Sequence, residues 1–197
     1  MYERKDAYYR KAKREGYRSR AAYKLEQIAA KEKAVRPGDR VIDAGAAPGG
    51  WSQVILELVG PKGKVAAVDL LSVDPLPGEN FRSWRRDLAD PGLPAELLSF
   101  LGGKADAVLS DAAPNTTGSA FTDQARSADL VRTVFSLTRE TLREGGTFLA
   151  KIFAGSDADA VFRELKPFFK ELRRIRPEAT RKESFELYLL GKGFRNV

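Results

Sequence analysis

Neither cysteine nor histidine occurs anywhere in the sequence. Without cysteine there are no disulfides and no thiolate metal sites, a composition that suits the cytosol. Without histidine a Ser-His-Asp triad and the usual zinc sites are excluded, and any general base must be Lys, Asp, Glu or Tyr. No apolar run approaches the roughly 20 residues that a helix needs to cross a bilayer. Met1 is followed by Tyr-Glu-Arg-Lys-Asp, which is unlike a secretory signal. The expectation is a cytoplasmic protein with no membrane association and no metal.

What is present is charge, unevenly placed. The 197 residues carry a formal net charge of +7, and the length fits one compact domain. Residues 1–24 hold nine Lys/Arg against three acids, and residues 163–197 hold ten against five. The stretch between them holds fifteen against nineteen. Basic ends around a mildly acidic centre suggest a polyanion-binding surface beside an acidic cleft. Aromatics interleave with the charges in Tyr8-Tyr9-Arg10-Lys11 and Gly16-Tyr17-Arg18-Ser19-Arg20, as in chains that bind nucleic acid. A second basic group, Arg173, Arg174 and Arg176, is expected to join that surface.

Residues 1–17 show no clear period and read as a loose basic arm ahead of a single domain over 18–197. Ser19 is placed to cap a helix reaching about Lys33, with Ala21, Ala22, Leu25, Ile28 and Ala29 as its apolar stripe. Strands are expected at 40–44, 64–69, 81–86, 105–110 and 147–153. Helices are expected at 51–59, 94–101, about 123–143 (stopping at Gly145-Gly146) and from Asp157 to about Lys166. Two β-like runs near 171–176 and 184–190 have no helix between them and should pair antiparallel. The result is an α/β, Rossmann-like fold: a mostly parallel seven-stranded sheet with one reversed strand and helices on both faces.

The corner that binds ligand in such a sheet is Val41-Ile42-Asp43-Ala44-Gly45-Ala46-Ala47-Pro48-Gly49-Gly50-Trp51, a strand, a glycine turn and a helix start. It lacks the G-x-G-x-x-G spacing of dinucleotide folds. Asp69, Asp87 and Asp111 stand at or just beyond the ends of three strands, and Asp43 inside the end of another. Alone, each is a cap or loop carboxylate; repeated, they form an acidic rim that repels a phosphate-rich cofactor. S-adenosylmethionine, with a sulfonium, an ammonium and no phosphate, suits that rim better than a nicotinamide dinucleotide. Asp69 is placed for ribose hydroxyls, Asp87 for the adenine amino group, and Trp51 to cover or edge the cofactor.

Lys151 lies in an otherwise apolar strand, where an ammonium is costly unless it has a role. Glu186 opens the reversed strand, so it reaches the same sheet edge as Asp111 and Lys151. Lys24 could fold over that edge from its helix. These segments, with Tyr17–Leu25, Asp43–Gln53, Val68–Leu71, Ser110–Asn115 and Lys151-Ile152-Phe153, resemble the FtsJ (RrmJ-like) family of ribosomal RNA 2′-O-methyltransferases in order over nearly the whole chain. The resemblance implies a catalytic tetrad of Lys24, Asp111, Lys151 and Glu186, with Glu183 nearby and the Glu-Leu-Tyr context favouring Glu186. It implies S-adenosylmethionine contacts at Gly45, Gly49, Trp51, Asp69, Asp87 and Asp111.

The substrate implied is a uridine ribose in bacterial 23S RNA of the large ribosomal subunit, methylated by a monomer. Transfer RNA, a messenger cap, or RNA binding without catalysis are the alternatives. Lys151 would be the base in an in-line displacement. Its neutral form is favoured by burial, by Lys24 and by the sulfonium, and opposed by Asp111 and Glu186.

Overall fold

The computed structural model describes residues 7–181 and 183–197. Short apolar runs bounded by turn residues become strands: β1 (Arg40–Ala44), β2 (Lys64–Asp69), β3 (Phe81–Arg85) and β4 (Ala105–Ser110), then β5 (Leu142–Phe153), β6 (Phe169–Ile175) and β7 (Glu186–Phe194). They form one sheet in the order β3-β2-β1-β4-β5-β7-β6. β1 to β5 pair in parallel. β7 runs antiparallel to both β5 and β6, so it is the one reversed strand.

Helices cover both faces: α1 (Ala7–Glu15), α2 (Ala22–Glu32), α3 (Gly50–Val59), α4 (Leu93–Leu101), α5 (Ala120–Thr141) and α6 (Ser156–Leu165). On one face Leu97, Val131, Phe135 and Val161 of α4, α5 and α6 pack against Ile42, Val108 and Phe148. On the other, Leu25 and Ile28 of α2 join Val54 and Ile55 of α3 against Val41, Val65 and Leu109. The central strands are apolar toward both layers, as a parallel sheet covered twice requires.

Three expectations are corrected. The segment expected to be a loose arm holds α1 in its described part, residues 7–17. Ala12 is buried with Tyr23 and Ala179, and Tyr8 and Tyr17 pack around the Tyr23 ring. Residues 1–6 of that expected arm lie outside the described residues.

Ser19 does not cap α2, which begins after Ala21 with no side-chain cap. The Ser19 side chain instead lies against Gly50, where a Cβ would come 2.3 Å from its Oγ.

The long helix ends at Thr141, before the expected glycine stop. Thr138 and Thr141 return their hydroxyls to the carbonyls of Val134 and Leu137. Leu142, buried and already extended, pairs with Ala105. The ladder shifts register between Ala105 and Ala107, and Gly145 sits nearby at φ +76°. The glycine pair therefore serves an irregularity inside β5 and does not cap a helix.

Candidate active site

The carboxyl ends of β1, β2 and β4 meet the amino end of β7 at one edge of the sheet. β7 pairs Lys151 with Tyr188 and Phe153 with Glu186, so Glu186 arrives at the end of β5. α2 lies across the same edge and supplies Lys24.

Four charged groups from these elements alternate in sign along a short line. Lys24 Nζ donates to Glu186 Oε2 at 2.8 Å. Glu186 Oε1 faces Lys151 Nζ at 3.7 Å, and Lys151 Nζ lies 3.2 Å from Asp111 Oδ1. Both amines are buried, Lys24 at 6% and Lys151 at 7% exposure. Two ammonium groups are tolerated at that depth because each faces a carboxylate. Burial pushes the Glu186 carboxyl upward, but the bond from Lys24 and the charge of Lys151 outweigh it and hold the group below its usual range. Glu183, the neighbouring acid, is exposed and faces neither lysine among the described contacts.

Sequence reasoning overlooked Tyr188. Its hydroxyl donates to Asp111 Oδ1 at 2.6 Å, and its ring stacks on Trp51 at 5.8 Å. Burial and the Asp111 carboxylate raise its pKa well above the ordinary phenol value, so it is a fixed donor. The signal was legible: residues two apart on a strand share a face, which puts Tyr188 beside Glu186.

The glycine turn lies next to this line. Gly45 has φ +78°, and a Cβ there would come 2.4 Å from the Cβ of Ala112. Only glycine allows the first turn to pass so close to the segment after β4. The space in front of Gly49 is used differently. At φ +104° its missing Cβ makes room for Arg18, whose guanidinium donates to the carbonyls of Asp74 and Pro75.

Trp51 is 3% exposed. Its indole N–H donates to the Ala21 carbonyl at 2.9 Å, fastening α2 to α3. What Trp51 offers the cleft is the backbone N–H of a helix first turn, which has no partner within the helix.

Asp69 Oδ2 accepts from Ala47 N and Oδ1 from Leu71 N, leaving one lone pair on each oxygen for a ligand. The exposed Leu70 and Leu71 follow it directly. Asp87 is exposed beyond the edge strand β3 and accepts from Ala89 N.

Asp43 is fully buried at the end of β1. Ser52 donates to its Oδ2 at 2.6 Å, while Oδ1 has no hydrogen-bond partner. Burial, with Asp111 and Asp69 nearby, raises its pKa to about 7. An orphaned carboxylate oxygen among further acids fits a cationic cofactor such as S-adenosylmethionine and disfavours an anionic one. Among the described residues no group of three or more His, Cys, Asp or Glu could hold a metal ion, and no helix is long and apolar enough to cross a membrane.

The second basic cluster is exposed and makes contacts at the protein surface. Arg173 pairs with Glu32 at 2.6 Å and also with Glu171. Arg174 pairs with Asp159 at 2.6 Å and lies over Phe162. Arg176 donates to the carbonyls of Arg181 and Ser184. These contacts also tie the β6 edge to the loop after it.

The profile of the FtsJ-like methyltransferase family matches residues 17–194. A ribosomal RNA large subunit methyltransferase E from Methanothermobacter thermautotrophicus is 47% identical over 98% of this chain and 91% of its own length. One of the same name from Rhodopseudomonas palustris is 49% identical over 96% of this chain and 81% of its own. A solved structure from Plasmodium falciparum, provisionally assigned as a ribosomal RNA methyltransferase, superposes with a TM-score of 0.79. It is 29% identical and covers 90% of this chain and 98% of its own. With its fold, its glycine turn and its line of paired charges, this chain belongs to the FtsJ-like methyltransferase family.

Proposed function

We propose that this chain transfers a methyl group from S-adenosylmethionine to a ribose 2′-hydroxyl of ribosomal RNA in the large subunit, at a uridine. The observation that carries the reading is the Lys24–Glu186–Lys151–Asp111 line beside the glycine turn. The relatives named for the large-subunit RNA favour that substrate over transfer RNA or a messenger cap. They come from archaea as well as bacteria, so the reading extends beyond a bacterial ribosome. The chain is read as acting as a monomer, and the substrate implies a cytoplasmic site of action.

When bound, S-adenosylmethionine supplies an electrophilic methyl group on a sulfonium. The acidic pocket of Asp43, Asp69 and Asp111 would hold its positive charge and its ribose, with Gly45 letting the backbone approach and Asp87 at the outer end. Lys151, in its neutral form, accepts the proton of the 2′-hydroxyl. Asp111 and Glu186 hold the amine from two sides and fix its direction. Lys24 neutralises Glu186, so the carboxylate orients Lys151 without carrying an unbalanced charge. Tyr188 fixes the Asp111 oxygen that Lys151 faces. Holding the hydroxyl and amine in this way replaces a chance encounter with a preset geometry.

Removing the amine tests the assignment. Lys151→Ala is expected to abolish methyl transfer to ribosomal RNA, read with a radiolabelled methyl donor, while donor affinity measured by calorimetry stays within a few-fold. Near-normal turnover would reject Lys151 as the base. Ribose-methylation mapping of ribosomal RNA from cells lacking the chain identifies the nucleotide.

A further inference from the structure

Two clefts meet the short segment Ser184–Glu186, and both are lined by Ser184 and Glu186. Their chemistry differs. The first, about 430 Å³, has Arg20, Lys24 and Arg181 in its walls together with Glu183 and Glu186, so cations outnumber carboxylates three to two and Lys24 is paired with Glu186. Arg20 and Arg181 both line this space beside that pair. Such a wall suits phosphate oxygens.

The second cleft, about 330 Å³, has Phe153, Phe185, Ala120 and Gln124 in its walls. Phe185 is 71% exposed, and Phe121, next to Ala120, is 78% exposed. One side of the cleft is rigid. Asp123 accepts from Thr117 N, Gly118 N and the Thr117 hydroxyl, tying the loop before α5 to the helix. Gln124 lies against Gly155, where a Cβ would meet its amide at 2.2 Å, so the glycine leaves room for that amide in the wall.

We propose that the second cleft seats the nucleobase of the acceptor nucleotide, stacked on Phe185, with the Gln124 amide at its edge. The inference rests on the reading of the site as a ribose methyltransferase. A 2′-hydroxyl at Lys151 puts its ribose against Glu186, so the base and the flanking phosphate are left to the two clefts that Glu186 lines. The cationic cleft takes the phosphate, which leaves the aromatic cleft for the base. An exposed aromatic with an adjacent amide is the usual equipment for holding an unstacked RNA base.

The probes are a short oligouridylate and an abasic ribose-phosphate oligomer of the same length. The wild-type chain is expected to bind the oligouridylate about five- to 150-fold more tightly, the range for one stacked base. Phe185→Ala should erase that difference and raise KM for ribosomal RNA with a smaller effect on kcat. Phe185→Trp should retain it. Trp51 and Trp84 are both buried, so the tryptophan introduced by Phe185→Trp is the exposed one. Its emission should be quenched by the oligouridylate and not by the abasic oligomer.

Equal wild-type affinity for the two oligomers, or an unchanged KM in Phe185→Ala while wild type methylates ribosomal RNA, overturns the base cleft and leaves the reaction standing. A defect seen only with assembled subunits, with protein-free RNA unaffected, overturns it in favour of a ribosomal protein against the two phenylalanines. A wild-type chain that binds S-adenosylmethionine but methylates no ribosomal RNA removes the underlying reading, and the cleft's occupant with it.

Discussion

Asp43 is the residue whose surroundings are least balanced. It is fully buried, one oxygen is unpartnered, and its pKa is raised to about 7 by burial and by Asp111 and Asp69, against the bond from Ser52. The folded state thus holds this proton more tightly than the unfolded chain. The associated stability is complete below about pH 4, falls as pH rises, and is lost above about pH 7. A rise of about three pH units corresponds to on the order of 4 kcal/mol. Asp43→Asn keeps the shape and cannot ionise. The stability difference between wild type and Asp43→Asn should change in the variant's favour between pH 4 and 7, then level off; chemical denaturation across that range measures it. A flat difference would mean that Asp43 keeps its charge throughout. Asp43 itself was legible as an acid in the motif, but its orphaned oxygen was not, because that depends on which groups the neighbouring strands bring near.

Among the elements, α2 has the most consequential attachment. It holds Lys24 over the sheet edge, and the indole of Trp51 pins its start through the Ala21 carbonyl. Trp51→Phe keeps a ring against Tyr188 and removes that bond. It should cost about 1–3 kcal/mol, the range for an unpaired buried group. Equilibrium denaturation reads the loss, and full stability would show that α2 is anchored by its apolar face alone.

Strands 40–44, 64–69 and 105–110 were legible because each is a short apolar run bounded by turns and buried on both faces. α1 and the start of β5 were not. α1 has its reason in Tyr23 and Ala179, which are distant in sequence, and Leu142 extends because Ala105 pairs with it. Within the site, Lys151 was conspicuous as a charge in an apolar strand. The inward packing of the Trp51 ring follows from a helix that only the fold places beside it.

On the scale of the whole molecule, the net charge of +7 does not convert into a uniform RNA-binding surface. The arginines of β6 and the loop after it are exposed but face carboxylates and carbonyls. On α1, Arg10, Lys13 and Arg14 remain exposed, near the cleft that holds Arg20. Arg10→Glu combined with Lys13→Glu should weaken binding to ribosomal RNA and flatten its dependence on salt by roughly 0.7 in log–log slope per lost phosphate contact. Titrations at several salt concentrations check this, and an unchanged slope would take α1 out of the interface.

The bond between Lys24 and Glu186 joins groups 162 positions apart, and the strand that starts at Glu186 enters the sheet between two strands that precede it in the chain. During translation, therefore, the amine at 24 waits for a further 162 residues before meeting its partner. A nascent chain stalled short of that point would lack both the Lys24–Glu186 pair and the strand that joins β5 to β6.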